Sequence, residues 1–369
     1  MVPAPVLATV HESHTFDLSG DASDVKRRRS ALILQGGGAL GAYEYGAIKA
    51  LYEQPGFAPD IVTGVSIGAI TAAILVGARG DPVETLEDMW NRFSGPGNGL
   101  IPREIAASLS IFGTQGMYQV RPSYLAAPFL ATSVYDVAPL YDSLERWVDF
   151  DRLNHAEPLC IVTATDIASG TLAEFSNRTT LTADHVVASA SLPPAFPMTL
   201  IDGRAYWDGG LISNTPLRPA INALEQLDAG STEVEWELIV IDLFEHEPKL
   251  PENMAEVTER AFQLGFLAKF QHDMKQFRAM SSYTDLVHEL DHELAPDSPI
   301  RQHPGFRRLL RHRCIEQLTL IANPQPESLG GSADFSRARI LRRIELGYED
   351  ARRVLHQRQS ADPRKQDNT

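Results

Sequence analysis

Residues 60–80 constrain the chain most. Asp60-Ile-Val-Thr-Gly64-Val65-Ser66-Ile67-Gly68 runs without a break into Ala-Ile-Thr-Ala-Ala-Ile-Leu-Val-Gly-Ala. A short β-branched run that meets a Gly-x-Ser-x-Gly box and continues as an alanine-rich apolar segment predicts a strand, a sharp turn and a helix, the geometry of a nucleophile elbow. The glycines remove Cβ atoms that would clash at such a turn, and the helix sets its N-terminal partial positive charge beneath the serine. Ser66 is therefore the candidate nucleophile. The segment 67–78 is the most apolar stretch of the chain and is too short to cross a bilayer.

Strand and helix signals alternate around this elbow. Ala31-Leu-Ile-Leu-Gln35 predicts a buried strand; it leads into Gly36-Gly37-Gly38-Ala39-Leu40-Gly41 and then a helix over 42–52. Asp81-Pro82 opens a helix to about 93, with proline at a favourable first-turn position. Residues 94–139 mix Gly, Pro and Ser with short apolar pieces and predict an irregular insertion, either a lid or a surface excursion. A helix over 140–149, a strand over 159–165 and a second, antiparallel strand over 171–175 follow. A helix over 183–190 stops at Ser191-Leu-Pro-Pro-Ala-Phe-Pro197, and 198–206 predicts a hairpin turning at Asp202-Gly203. Asn214-Thr-Pro216 starts another helix, and 237–244 is a strong strand. This alternation implies an α/β fold with a mostly parallel sheet covered on both faces.

Beyond about 252 the pattern turns mainly helical. Phe262, Phe266, Phe270, Met274 and Phe277 recur at three- or four-residue spacing in an expected helix over 254–280, a stripe that reads as core packing, with the lining of a lipid pocket as the alternative. A short basic amphipathic turn over 304–313, a strand over 317–322 and a charged helix over 336–357 complete the chain. The expected organisation is a flexible tail over 1–29 ending in the solvated run Lys26-Arg27-Arg28-Arg29, a catalytic domain over 30–245, a packed helical extension over 246–358 and a frayed end over 359–369.

Hydrophobic residues make up 43% and charged residues 22%, as in soluble globular proteins. The net charge of −15 argues against nucleic acid as a partner. Residues 296–369 run the other way, with 14 Lys and Arg against 9 Asp and Glu, a surplus suited to anionic lipid headgroups or to the acidic body of the protein itself. The N-terminus lacks the basic start and apolar run of a secretory signal, and the only two cysteines, Cys160 and Cys314, lie in apolar runs. Both readings point to a reducing, cytoplasmic setting.

The glycine loop formally satisfies G-x-G-x-x-G, but the second strand ends in the serine box rather than in the acidic residue that holds a ribose, and there is no Gly-Lys-Ser/Thr ending. Successive backbone N–H groups beside a nucleophile suit an oxyanion hole better. Ser66 also needs a base. Among the eleven histidines His246 best fits a sheet-edge position, yet Glu245-His246-Glu247-Pro248 offers nothing to present it. Asp208, in Trp207-Asp208-Gly209-Gly210, is the stronger candidate, because adjacent glycines allow a tight backbone and close approach to another loop.

Glycine loop, serine elbow and Asp-Gly-Gly, in that order, resemble the patatin-like phospholipase family. So does Ala188-Ser-Ala-Ser-Leu-Pro-Pro-Ala-Phe-Pro197, which matches the segment preceding the aspartate there; the resemblance spans residues 31–220 and does not reach the C-terminal third. It implies a patatin-like three-layer fold and a Ser66–Asp208 dyad. Gly36, Gly37, Gly38 and Ile67 would form the oxyanion hole, and Gly41, Gly64, Gly68, Gly209 and Gly210 the supporting motif glycines. It further implies an esterase or phospholipase acting on lipid-type acyl esters without metal or cofactor; peripheral contact to a membrane surface is an expectation from the basic C-terminal region. A short-chain or hydroxyalkanoate ester hydrolase with the same dyad, and a lipid-surface binding or regulatory protein with little turnover, are the alternatives.

Overall fold

The computed structural model describes residues 27–95, 113–228, 234–244, 250–310, 312–313, 315–323 and 331–361. Its strands are β1 (Arg27–Leu34), β2 (Ile61–Gly64), β3 (Gly113–Thr114), β4 (Tyr118–Val120), β5 (Tyr135–Asp136), β6 (Leu159–Asp166), β7 (Thr171–Ser176), β8 (Thr199–Ile201), β9 (Arg204–Asp208), β10 (Val234–Asp242) and β11 (Gln317–Ala322). The main sheet runs β11-β10-β1-β2-β6-β9-β8, with β7 also on β6. From β11 to β6 all neighbours are parallel, whereas β7, β9 and β8 pair antiparallel.

Alternation along each strand sends side chains to opposite faces. In β1, Leu32 and Leu34 join one core with the helices Gly41–Tyr52, Ile67–Gly77 and Pro82–Phe93, and with the C-terminal helix Arg337–Ala361. Ala31 and Ile33 face the other core, built with the helix Leu217–Leu227 and with Phe270 and Met274 of the long helix Met254–Glu293. These are the three layers expected from the sequence. The C-terminal third is woven into them: β11 lengthens the parallel sheet, and the C-terminal helix crosses Gly41–Tyr52 so closely that a Cβ on Gly46 or Gly347 would enter the other helix's backbone. The Tyr43 hydroxyl donates to Asp350 Oδ2 at 2.9 Å across this crossing.

Register places the site. Leu34 lies opposite both Gly64 and Ile241, so β1, β2 and β10 end in line and the loops leaving them emerge side by side. Ligands of open α/β sheets sit beyond such strand ends.

Three expectations need correction. The sheet begins at Arg27, so Arg27, Arg28 and Arg29 lie in β1 and not in a solvated tail; Arg29 pairs with Asp60 and Asp228, and Arg28 with Glu235 and Glu237. Carboxylates distant in sequence absorb that charge. The long helix continues past 280 to Glu293; the next two residues lead to Pro296, which disfavours helix in the residue before it. Within 94–139, residues 96–112 lie outside the described residues, but β3, β4 and β5 form a small antiparallel sheet rather than an irregular coil. Tyr118 and Tyr135 of that sheet pack on Phe196, and Tyr135 N–H donates to Ala195 carbonyl at 2.9 Å, tying the excursion to the loop ahead of β8.

Candidate active site

Ser66 stands between β2 and the elbow helix Ile67–Gly77 with φ 57° and ψ −124°. A positive φ is costly for a residue with a side chain and persists where the surroundings enforce it. Here the enforcement is contact: a Cβ on Gly68 would lie 2.6 Å from Leu34 carbonyl oxygen, and one on Gly64 would enter the Gly68 backbone. The Ser66 N–H donates to Ser189 Oγ at 3.0 Å, which pins the turn from the far side.

Asp208 ends β9 beside β6, where Thr165 Oγ1 donates to its carbonyl at 2.8 Å and its own N–H donates to Ser191 carbonyl at 3.0 Å. Its side chain is 2% exposed. Its Oδ1 accepts a hydrogen bond from Gly210 N–H at 2.7 Å, and the Ser66 hydroxyl lies near enough to favour the charged carboxylate. Burial pushes this carboxyl up from 3.8 to about 7, while the Ser66 hydroxyl, the Gly210 N–H and the positive charge of Lys269 oppose the rise. Gly209 and Gly210 form the tight turn behind it, and a Cβ on Gly209 would lie 2.5 Å from Thr163 carbonyl oxygen.

The glycine loop crosses in front of the elbow. Gly36 is confined between Asn214 and Ser66: an added Cβ would lie 2.5 Å from Asn214 Oδ1 and 2.9 Å from Ser66 Cβ. Asn214 Nδ2 donates to Gly36 carbonyl at 2.8 Å, and Gly36 N–H makes a long 3.4 Å bond to Asn214 carbonyl. Gly36 N–H is thus engaged by protein, unlike the N–H groups of Gly37, Gly38 and Ile67, which meet no acceptor among the described residues. Gly41 opens the following helix against the Ile67 side chain. Gln35 anchors the start of the loop, donating through Nε2 to Thr215 Oγ1 at 2.8 Å and accepting from Leu243 N–H at 3.0 Å. Its own N–H donates to Glu44 Oε1 at 2.9 Å, and burial holds the Glu44 carboxyl well above the ordinary carboxylate range.

Ser66, Asp208 and the glycine loop therefore converge, while His246 lies outside the described residues. Several partners carry no sequence motif. Ser189 lies inside the stretch 188–197 that carries the resemblance and Asn214 just beyond Asp208-Gly209-Gly210, with nothing to single either out, but Lys269, Ser332 and Arg343 come from the C-terminal third. Lys269 Nζ donates to the carbonyls of Gly210 and Leu211 at 2.8 and 2.6 Å. Ser332 carbonyl accepts Ala39 N–H at 2.8 Å, and fully buried Arg343 donates to the carbonyls of Ala39, Gly331 and Asp334 at 3.1, 2.7 and 2.6 Å.

A family described as patatin-like phospholipase matches residues 32–221, and one described as patatin phospholipase matches residues 265–367. The second match reaches the part where sequence motifs gave no resemblance. A patatin-like phospholipase domain-containing protein of Chaetomium globosum is 40% identical over 58 residues, 16% of this chain and 7% of that protein. One of Neurospora crassa is 41% identical over 58 residues with the same coverage, so the match spans only a small part of these curated relatives. Among solved structures, VipD from Legionella pneumophila aligns with TM-score 0.42 and 15% identity over 90% of this chain and 67% of that one. The ExoU-SpcU complex of Pseudomonas aeruginosa aligns with TM-score 0.31 and 17% identity over 78% and 66%. The fold and its convergent loops are those of an α/β protein with a serine elbow. The chain belongs to the patatin-like phospholipase family.

Proposed function

We propose that this protein is a serine-dependent acyl hydrolase of lipid esters, with Ser66 as nucleophile and Asp208 as its base. The observation that carries the reading is the convergence of Ser66, held at positive φ in the elbow, with the buried Asp208 carboxyl, both tied to the short stretch Ser189–Ser191. A carboxyl with a pKa of about 7 is ionised in part at neutral pH and is well matched to take and return a proton there. Ser66 Oγ attacks the ester carbonyl carbon as its proton passes to Asp208, and the tetrahedral oxyanion takes hydrogen bonds from the N–H groups of Gly37, Gly38 and Ile67. Collapse breaks the ester C–O bond, and protonated Asp208 returns the proton to the leaving alkoxide. Water then attacks the acyl-serine, giving one proton to Asp208, and Ser66 leaves with that proton as the free acid forms.

The lipid part of the reading is supported by the excursion Pro122–Leu130, where Leu125, Phe129 and Leu130 are 74, 100 and 87% exposed. Adjacent large apolar side chains in water mark an interaction surface, and a lipid aggregate is the partner that fits the family. Fluorophosphonate labelling with peptide mapping tests the nucleophile: modification at Ser66 is expected, and its absence from folded protein sinks the proposal. Replacing Phe129 and Leu130 with serine is expected to lower turnover on phospholipid vesicles while leaving a soluble p-nitrophenyl ester unaffected; equal loss on both substrates removes the support for a lipid surface.

A further inference from the structure

We infer that Lys269 is a positioning residue for the dyad: anchored on the carbonyls behind Asp208, its ammonium holds the turn in place and supplies the positive charge against which that carboxylate ionises. The inference rests on the dyad reading.

Three side chains of the long helix meet the turn that follows β9. Phe266, Lys269 and Asp273 stand three and then four residues apart, so one helix face carries them all. The Phe266 ring lies against the turn, with Cε1 3.0 Å from the place a Gly210 Cβ would take, and it stacks on Phe244 at 5.9 Å between ring centroids. Lys269 Nζ sits 5.3 Å from the Phe266 centroid and reaches Gly210 and Leu211 carbonyls. Asp273 Oδ2 accepts from Ser213 Oγ at 3.2 Å. The ammonium is thereby fixed by neutral carbonyls, which orient it without cancelling its charge. Gly210 gives its N–H to Asp208 Oδ1 and its carbonyl to Lys269, so one peptide-bonded residue links base and cation.

Among the described residues, the charged and titratable groups that act on the pair are these. Asp208 and Asp273 act on Lys269; Ser66 and Lys269 act on Asp208; His272 and Arg218, from the helix Leu217–Leu227, act on Asp273. Removing the Lys269 charge leaves Asp208 harder to ionise, so the base forms only at higher pH. A role confined to packing would lower activity equally at every pH.

The test is the pH profile of kcat/KM on a soluble p-nitrophenyl ester for wild type, Lys269→Met, Lys269→Gln and Lys269→Arg, with Asp208→Asn alongside. The midpoint of the acid limb is expected to move up by about one pH unit in the Met and Gln variants, with about tenfold loss below the midpoint and recovery above it. The Arg variant, which keeps the charge, is expected to stay near the wild-type midpoint. Gln retains a hydrogen-bond donor, so a wild-type midpoint in Gln with a moved midpoint in Met assigns the effect to the bond and overturns the charge role. An unmoved midpoint in both, or failure of both to fold, also overturns the inference. If Asp208→Asn retains wild-type turnover, the dyad itself fails; if Asp208→Asn is dead and the Lys269 midpoints stay fixed, only the inference about Lys269 fails.

Discussion

The sheet-and-loop region between Ala31 and Ala220 and the C-terminal region from Met254 onward serve the same site by different kinds of contact. The first brings the groups to which the proposed mechanism assigns the chemistry: the Ser66 hydroxyl, the Asp208 carboxylate and the loop N–H groups. The second touches the site through main chain: Lys269 grips Gly210 and Leu211, Ser332 takes the Ala39 N–H, and Arg343 gathers three carbonyls around Ala39. Reactive side chains need particular turns, and turns leave glycine signatures. Backbone carbonyls can be held by any donor that arrives in the right place, so bracing leaves no signature.

Several substitutions set this contrast at risk. Ser66→Ala and Asp208→Asn are expected to lower esterase turnover by about 10³-fold or more while circular dichroism stays native. Near-normal turnover in Asp208→Asn with loss in His246→Ala would replace the dyad with a serine–histidine arrangement. Gly347→Val forces a side chain into the backbone of the helix Gly41–Tyr52 and is expected to cost about 3 kcal/mol or more, read as a lower midpoint in urea. An unchanged midpoint means the C-terminal helix is not part of the core. Arg343→Met strands carbonyls at Ala39, Gly331 and Asp334 and is expected to cost about 2 kcal/mol and to lower kcat more than it raises KM. If stability falls but kcat does not, the bracing of the glycine loop is irrelevant to chemistry.

The last expected effect is a pH-dependent one. The folded pKa of Asp208 lies above its ordinary 3.8, at about 7, so its contribution to stability is full below pH 4 and is lost as pH rises toward 7. Asp208→Asn does not titrate. Its melting temperature is expected to match wild type near pH 4 and to exceed it by a few degrees at pH 8; a constant difference across that window would mean Asp208 is not a desolvated acid.

How much the sequence disclosed follows the same division. The elbow at Ser66, the Asp202-Gly203 hairpin turn and the parallel strands were legible because glycine placement and apolar runs report local backbone needs directly. Asp202 and Gly203 both adopt positive φ, as that two-residue turn demands. Lys269 was hidden between Phe266 and Phe270 in a helix whose period reports burial and not what a lysine between them reaches. Arg27 to Arg29 looked like a solvated run because Asp60, Asp228, Glu235 and Glu237 come from other strands and loops. Asn214 lay six residues beyond Asp208 with no pattern to mark its hold on Gly36.

Ser189 and Ser191 belong to one short stretch of chain, yet Ser189 takes the Ser66 N–H and Ser191 the Asp208 N–H. Both halves of the proposed dyad hang from a single crossbar. The proposed nucleophile and base are 142 residues apart in sequence, but their main chains are tethered to residues only two positions apart.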